Sequence, residues 1–363
     1  MGPDKCFKLH IANKKSVSEC TNSLKVHNLE MQNAKKIKYL GDYLNSFGNL
    51  DDTINDRSQK AIGLRSQLSS ILKTISLGVY YFEVAMILRE SSYLNAFLYN
   101  SESWCYLTKK QLETFESADC QYFQICFQSK SKTAREAYFL ETGKLRLKHI
   151  FVKRRMMFLF NILKRDPRDI LRKTYVAQQL YPTNFDWFLT ITKNREEYKI
   201  LLSDDDISKM SKSQFKKYLE NKVFQYSFDE LFDCKKSKVY NILKTIKYGR
   251  NKKIFMQDYL KTNILSVAEK QFAFDLRCRN FLVKSNYKSQ HEDDMSCRIC
   301  LEEDSFEDEE HIFFLCPVLL KDHPIDSEIK FEHIYGDLDE LTKAVKYFIR
   351  IAEKRNFLLD LRS

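Results

Sequence analysis

The chain has 363 residues, 44% of them hydrophobic, enough for packed cores and, at roughly 100–200 residues per domain, for two or three units. Only 8 Gly and 5 Pro exclude a turn-rich β protein and favour long helices. The net charge of +11, ten irregularly spaced cysteines, no cleavable apolar signal and no apolar run of the ~20 residues that span a bilayer predict a protein of the nucleus or cytoplasm with reduced thiols, neither a disulfide scaffold nor a membrane protein.

Through the first fifty residues, short apolar-alternating runs at 6–11 and 24–29 are broken by polar turns, followed by Lys38, Tyr39, Leu40 and Gly41 and a turn-like stretch at 45–49. Period-two patterning with such punctuation predicts short strands or hairpins. From Asp51 the period lengthens. Asp51 or Asp52 is a fitting N-cap, and Ile54, Ile62, Leu64, Leu68, Ile71, Leu72 and Ile75 recur at helical spacing. Gly78 separates a second apolar helix over 79–98, and Leu112, Phe115, Ala118, Tyr122 and Ile125 mark a third over 109–127.

A basic helix is predicted over 145–164. Between Lys144 and Lys173 eleven Lys/Arg face only Asp166 and Asp169, a local excess of +9. Lys148, Lys153, Arg154 and Arg155 are interleaved with Phe151, Met156, Met157, Phe158, Leu159 and Phe160. One face would pack while the cations project, as in a helix laid along a nucleic-acid backbone. A solvated face of a basic protein, or a membrane-surface helix without a second anchor, are the alternatives. Pro182 interrupts the next stretch. Ser203 and Ser211 begin helices, with further helices over 215–228, 238–246 and 267–281. A polar linker at 286–295 leads to the last region, and an amphipathic helix over 337–361 closes the chain.

The last region carries Cys297-x2-Cys300-x10-His311-x4-Cys316-Pro317. Three thiols and an imidazole are the ligands a tetrahedral zinc ion takes, and four protein ligands close the site, which makes it structural. Such an ion could fold a segment with little core of its own, because binding free energy becomes folding free energy. The alternative is unligated cysteines around a histidine-containing loop. His291, His323 and His333 compete as ligands with poorer spacing. The ten-residue loop 301–310 holds seven acids and no base, which does not suit a surface facing phosphates. Phe313 and Phe314 are assigned to the region's small core rather than to base stacking.

Catalytic signatures are missing: no P-loop, no G-x-G-x-x-G, no H-E-x-x-H and no nucleophile elbow. Clustered carboxylates occur at Asp51-Asp52, Asp204-Asp205-Asp206 and Asp293-Asp294, each in a capping or linker setting, so capping and solvation account for them.

Read in order, Lys5-Cys6-x-x-Leu9, Lys38-Tyr39-Leu40-Gly41, the run from Phe97 to Trp104, Leu107-Thr108-Lys109, Leu140-Glu141-Thr142-Gly143, Arg154-Arg155 and the terminal C-x2-C…H-x4-C-P form a familiar succession. The chain resembles the carboxy-terminal half of a non-LTR (LINE-type) retrotransposon reverse transcriptase, most closely over 36–165 and 297–317. The resemblance implies a mainly α fold in four parts: a palm remnant with a primer-grip-like hairpin (1–50), thumb-like helices (51–135), a basic helical connection region (136–290), and a CCHC zinc knuckle with a terminal helix (291–363). It implies RNA or DNA as partner. The family's aromatic-x-Asp-Asp turn would precede Lys5, so a noncatalytic, truncated polypeptide is expected, because polymerase chemistry needs positioned carboxylates and metal ions. Two other readings stay open: a zinc-stabilised module binding a protein through loop 301–310 or the terminal helix, and the tail of a polymerase whose catalytic palm is encoded upstream.

Overall fold

The computed structural model describes residues 7–9, 25–26, 29–30, 32–39, 41–74, 77–105, 107–129, 133–183, 186–234, 237–287, 295–302, 305–321 and 328–362. It is 67% helical, about twice the share of an average globular domain, in line with the mainly α expectation.

The amino-terminal strands are short. β1 (Phe7–Lys8) pairs in parallel with β4 (Gln32–Asn33), while β2 (Lys25–Val26) and β3 (Leu29–Glu30) form an antiparallel pair. β5 (Lys36–Tyr39) and β6 (Asp42–Asn45) form a hairpin with Tyr39 opposite Asp42. Its turn needs glycine at 41: the backbone there has φ +92°, and a Cβ would press on the Arg57 and Tyr99 side chains. The helices follow as α1 (Asp51–Thr74), α2 (Tyr81–Leu88), α3 (Leu94–Phe97), α4 (Lys109–Phe127), α5 (Arg135–Thr142), α6 (Leu147–Leu163), α7 (Ile170–Leu180), α8 (Trp187–Glu197), α9 (Asp204–Lys209), α10 (Lys212–Phe232), α11 (Ser237–Thr245), α12 (Asp258–Lys261), α13 (Val267–Arg277), α14 (Lys284–Tyr287), α15 (Pro317–Leu320) and α16 (Leu338–Arg362). Among the described residues no helix is long and apolar enough to cross a membrane.

Helix α1 buries Ile54, Ala61, Leu68 and Leu72, whereas Ile62 and Ile71 are exposed. At 100° per residue those two isoleucines lie about a quarter-turn from the buried stripe, so apolar spacing alone drew the face too wide. Arg57 is on the buried side. It donates to the Gly41 carbonyl (2.9 Å) and to Asp42 (3.1 Å), whose other oxygen accepts from Trp104 Nε1 (3.3 Å). The hairpin is thereby fixed to α1.

Two compact units emerge. The first comprises Met1–Leu68, Leu88–Asp119 and Arg146–Val223; the second comprises Ser69–Ile87, Cys120–Leu145 and Phe224–Ser363. In the first, Phe97, Trp104, Phe115 and Phe151 form an aromatic cluster, and Phe160 of α6 stacks on Phe215 of α10 at 5.3 Å. Helix α6 is apolar on nearly every side because α7, α8 and α9 all pack against it. A π-helical turn, Arg89–Tyr93, places Arg89 inside this core, where Nε and Nη2 bind Asp119 Oδ1 and Oδ2 at 2.8 and 2.6 Å. Removing one partner strands a buried charge, so Asp119→Ala is expected to cost about 3–5 kcal/mol in urea unfolding. A change below ~1 kcal/mol would mean that the arginine finds another partner.

In the second unit, Phe82, Phe127, Tyr138 and Phe274 form a continuous ring stack. Helix α5 ends at Gly143, left-handed at φ +65°, where any Cβ would collide with the Ile254 carbonyl. Two residues earlier, Glu141 is fully buried and accepts from Arg277 Nε at 2.7 Å. Helices α13 and α16 pack together and carry the metal-ligand region on a shared apolar core.

Candidate metal centre

Two short segments run antiparallel around the first ligand pair. Ser296 bridges Phe306, Cys297 N–H donates to the Ser305 carbonyl (2.9 Å), and Glu307 N–H donates to the Met295 carbonyl (2.9 Å). Between them the chain turns from Cys297 to Cys300 and closes with Leu301 N–H on the Cys297 carbonyl (3.0 Å), Leu301 itself being left-handed at φ 61°. The turn aims Ile299 N–H at Cys297 Sγ (3.4 Å), a bond that favours a thiolate there. The second ligand pair comes from a π-helical turn, His311–Leu315. Asp308 caps it, accepting from His311 N–H at 2.8 Å, and Cys316 N–H closes it on the His311 carbonyl at 2.7 Å. Pro317 then opens α15 at the position where a missing N–H costs nothing.

These elements bring Cys297, Cys300, His311 and Cys316 together with their ligand atoms all within 4.8 Å of one another. Cys300 Sγ lies 3.5 Å from His311 Nε2. Tetrahedral Zn–S and Zn–N bonds give ligand separations of about 3.5–3.8 Å, so small side-chain adjustments would seat an ion. Cys297 and Cys316 are fully buried, His311 nearly so, and Cys300 is half-buried at the rim. The Cys316 thiol is held below its ordinary range by a hydrogen bond with Cys297, whose own thiol is pushed up to about 12 by that bond and by burial. Zinc binding would displace the protons that these thiols carry. The donor set therefore fits zinc: Cys297, Cys300 and Cys316 would supply sulfur, His311 nitrogen, and all four positions would be filled by protein. His333 is elsewhere, its Nδ1 accepting from Lys330 N–H; His291 and His323 lie outside the described residues.

The region is not a free-standing knuckle. Cys297, Ile299, Ile312, Phe313, Cys316 and Leu319 share one apolar cluster with Leu276, Phe281, Ala344, Phe348 and Ile351 of the surrounding second unit. Phe313 is a core residue as expected, 4.5 Å from the Phe348 ring centroid. The expectation of a segment with little core of its own is corrected: α13 and α16 supply one.

The acidic loop also has a different meaning from its charge count. Glu307 is fully buried and binds Arg298 Nη2 and Arg355 Nη2, each at 2.6 Å, together with Arg298 N–H at 3.0 Å. Burial opposes its ionisation, yet those bonds prevail and hold the carboxyl at about 2. Asp308 is the cap of the His311 turn, and Glu309 is buried and accepts from Asn286 at 2.5 Å. Three of the acids thus build the ligand loops. Sequence reasoning missed Glu307, Arg298 and Arg355; the only local signal was a lone arginine between the first two ligands.

The predicted nucleic-acid residues are dispersed. Lys38 is exposed on the hairpin, paired with Asp56 at 3.3 Å, and Tyr39 is exposed beside it, while Leu40 lies outside the described residues. Lys148 is half-buried on α6. Lys153 binds Glu220 at 2.5 Å, and Arg154 donates to the Leu98 carbonyl at 2.6 Å. Arg155 does not project: it is 6% exposed, and its guanidinium donates to the Trp104 and Cys105 carbonyls at 3.2 and 3.1 Å. Burial brings it down to about 10. Three consecutive helical positions spread over about 200°, so they cannot share one outward face. Arg155→Ala is expected to cost about 2–4 kcal/mol of stability, through two lost charge-assisted bonds, with no change in the salt dependence of binding. A shallower salt slope with unchanged unfolding would return Arg155 to the phosphate-contact set.

The carboxylate run at 204–206 does cap: Ser203 and Asp206 form a capping box, and Asp204 pairs with Arg195 at 2.6 Å. Comparison with protein-family models, curated proteins and solved structures finds no match for this chain.

Proposed function

We propose that this chain is a noncatalytic nucleic-acid-binding protein related to the carboxy-terminal half of non-LTR retrotransposon reverse transcriptases, with one structural zinc ion. The closed ligand set carries this reading. Four protein ligands, packed within 4.8 Å on an apolar core, leave no coordination position for a substrate or an activated water. The zinc would act as a folding element that shapes the second unit. The net charge of +11 supports a polyanionic partner, although the paired state of Lys153, Arg154 and Arg155 moves the expected contacts to other cations.

The protein-partner reading has less to stand on. The apolar face of α16 is occupied by the unit's own core from Leu341 to Ala352, leaving Phe357 and Leu361 exposed near its end, and Glu307, Asp308 and Glu309 are engaged internally.

The test is a titration of the zinc-loaded full chain against fluorescent RNA and duplex DNA over a range of salt. Log K should fall linearly with log salt, by about 0.7–0.9 per phosphate neutralised, and metal analysis should give about one zinc per chain. Absence of binding to either polymer at low salt would overturn the nucleic-acid role.

A further inference from the structure

We infer that the loop at 247–255 in the second unit is a binding hairpin for single-stranded nucleic acid, an inference that rests on the nucleic-acid reading above. The stretch 235–257 contains eight Lys/Arg and no acid, a purer concentration of positive charge than 144–173. The loop is a built structure. Ile246 and Ile254 anchor its two stems in the core, and Tyr248 pairs with Ile254 in an antiparallel bridge. Phe255 N–H donates to the Lys247 carbonyl (3.0 Å), and Gly249 N–H donates to the Lys253 carbonyl (2.9 Å). At the tip, Lys252 is left-handed at φ 61°, and Asn251 Oδ1 accepts from Lys253 N–H at 3.2 Å.

What this hairpin and the preceding helix α11 show to solvent is an interleaving of cations and rings. Tyr240, Tyr248 and Phe255 are 57%, 46% and 47% exposed, a poor use of aromatic surface unless something covers it. Lys244 Nζ sits 4.2 Å from the Tyr240 ring centroid, and Lys252 Nζ lies 4.7 Å from Phe228 and 5.1 Å from Tyr248. Arg250 and Lys253 are exposed and make no ion pair among the described residues. Of the neighbouring acids, Asp258 is taken by Lys247 and Lys261, and Asp229 by Gln225.

Rings spaced between cations match a chain that alternates bases with phosphates. Unpaired bases are required, because a duplex hides their faces in its own stack. A lipid surface would want a wide apolar face, whereas here Ile246 and Ile254 point inward and the exposed apolar surface is limited to rings set among lysines, of which Tyr248 and Phe232 lie 6.2 Å apart.

The experiment titrates the zinc-loaded full chain against a fluorescent single-stranded oligonucleotide of about 15 nucleotides, the matching duplex, and anionic vesicles. Arg250→Ala combined with Lys253→Ala should weaken single-strand binding about tenfold at low salt and lower the salt slope by about 1.4, for two phosphates lost. Tyr240→Ala should weaken it about fivefold or more while leaving the slope unchanged, as loss of stacking requires. Alanine at Lys164 and Lys173, exposed in the first unit, should change affinity by less than about threefold. Tyr240 and Arg250 are surface positions, and an unchanged unfolding midpoint checks that the variants fold. If the parent chain binds and the hairpin variants bind equally well, the location is wrong while the nucleic-acid reading stands. If the parent chain binds no oligonucleotide, both fall. Equal loss on duplex and single strand with no effect of Tyr240→Ala, or binding to vesicles alone, would also overturn the inference.

Discussion

Stripping zinc from the chain, or replacing Cys316 by Ser, is expected to unfold the ligand loops and to loosen α16 with them. Structural zinc contributes about 10–16 kcal/mol in small zinc-binding peptides, as much as the entire net stability of ~5–15 kcal/mol of a typical domain. Here the effect should spread beyond the four ligands. Two of them, Cys297 and Cys316, are fully buried members of the cluster that seats Phe348 and Ile351 of the terminal helix. Without the ion, the Cys297 turn and the His311 turn share only a few bonds, and the polar sulfur atoms stay inside an apolar core. The measurement is amide hydrogen exchange across 338–362 with and without a strong chelator. The expected result is loss of protection there and stoichiometric zinc release. Both tryptophans, Trp104 and Trp187, belong to the first unit, so their emission reports separately whether that unit follows. Full protection in the metal-free protein would show that α13 and α16 hold the loops without an ion.

Helices with one clean face were legible in the sequence, and α6, which lacks one, was still read from its unbroken run of apolar and basic residues. Helix α4 spans the 109–127 read from its apolar spacing, and the Ser203 and Ser211 starts are real caps, because a cap is a local contract between residues three apart. Helix α7 was not identified. Its Ile170, Leu180 and Tyr181 end are among the most exposed apolar positions of the protein, so periodicity gave no buried face to find. The four candidate ligands were legible because metal geometry confines such residues to short spacings. Their supports were not, since Glu307 meets Arg355 across 48 residues and charge counting assigns both to solvent. Arg155 misled for the same reason: a basic run looks like a surface until α6 is seen to be surrounded.

Glu307→Ala is expected to be the most damaging single substitution in the metal-ligand region outside the ligands themselves. Arg355 is 1% exposed, and the mutation leaves its guanidinium, among the described residues, with the Leu282 carbonyl alone as hydrogen-bond acceptor, at 2.6 Å. A buried charge that loses its partner costs about 3–5 kcal/mol. Because Glu307 also holds Arg298 N–H inside the Cys297–Cys300 turn, zinc affinity should fall about 10–100-fold, the range seen when an outer-shell partner of a ligand is removed. The pair Glu307→Leu with Arg355→Met should recover much of the stability, since it removes both charges instead of one, while zinc affinity stays reduced because the Arg298 contact is still missing. The pH dependence follows from the same carboxyl. Its value falls from an ordinary 4.5 to about 2 on folding, so the unfolded chain takes up the proton first. The contribution of Glu307 is therefore complete above pH 4.5 and is lost as pH falls towards 2. The stability gap between the parent chain and Glu307→Gln should narrow across that window and remain constant above it. A gap that is the same at both ends would assign the cost to packing alone and detach Arg355 from the charge that holds the metal loop.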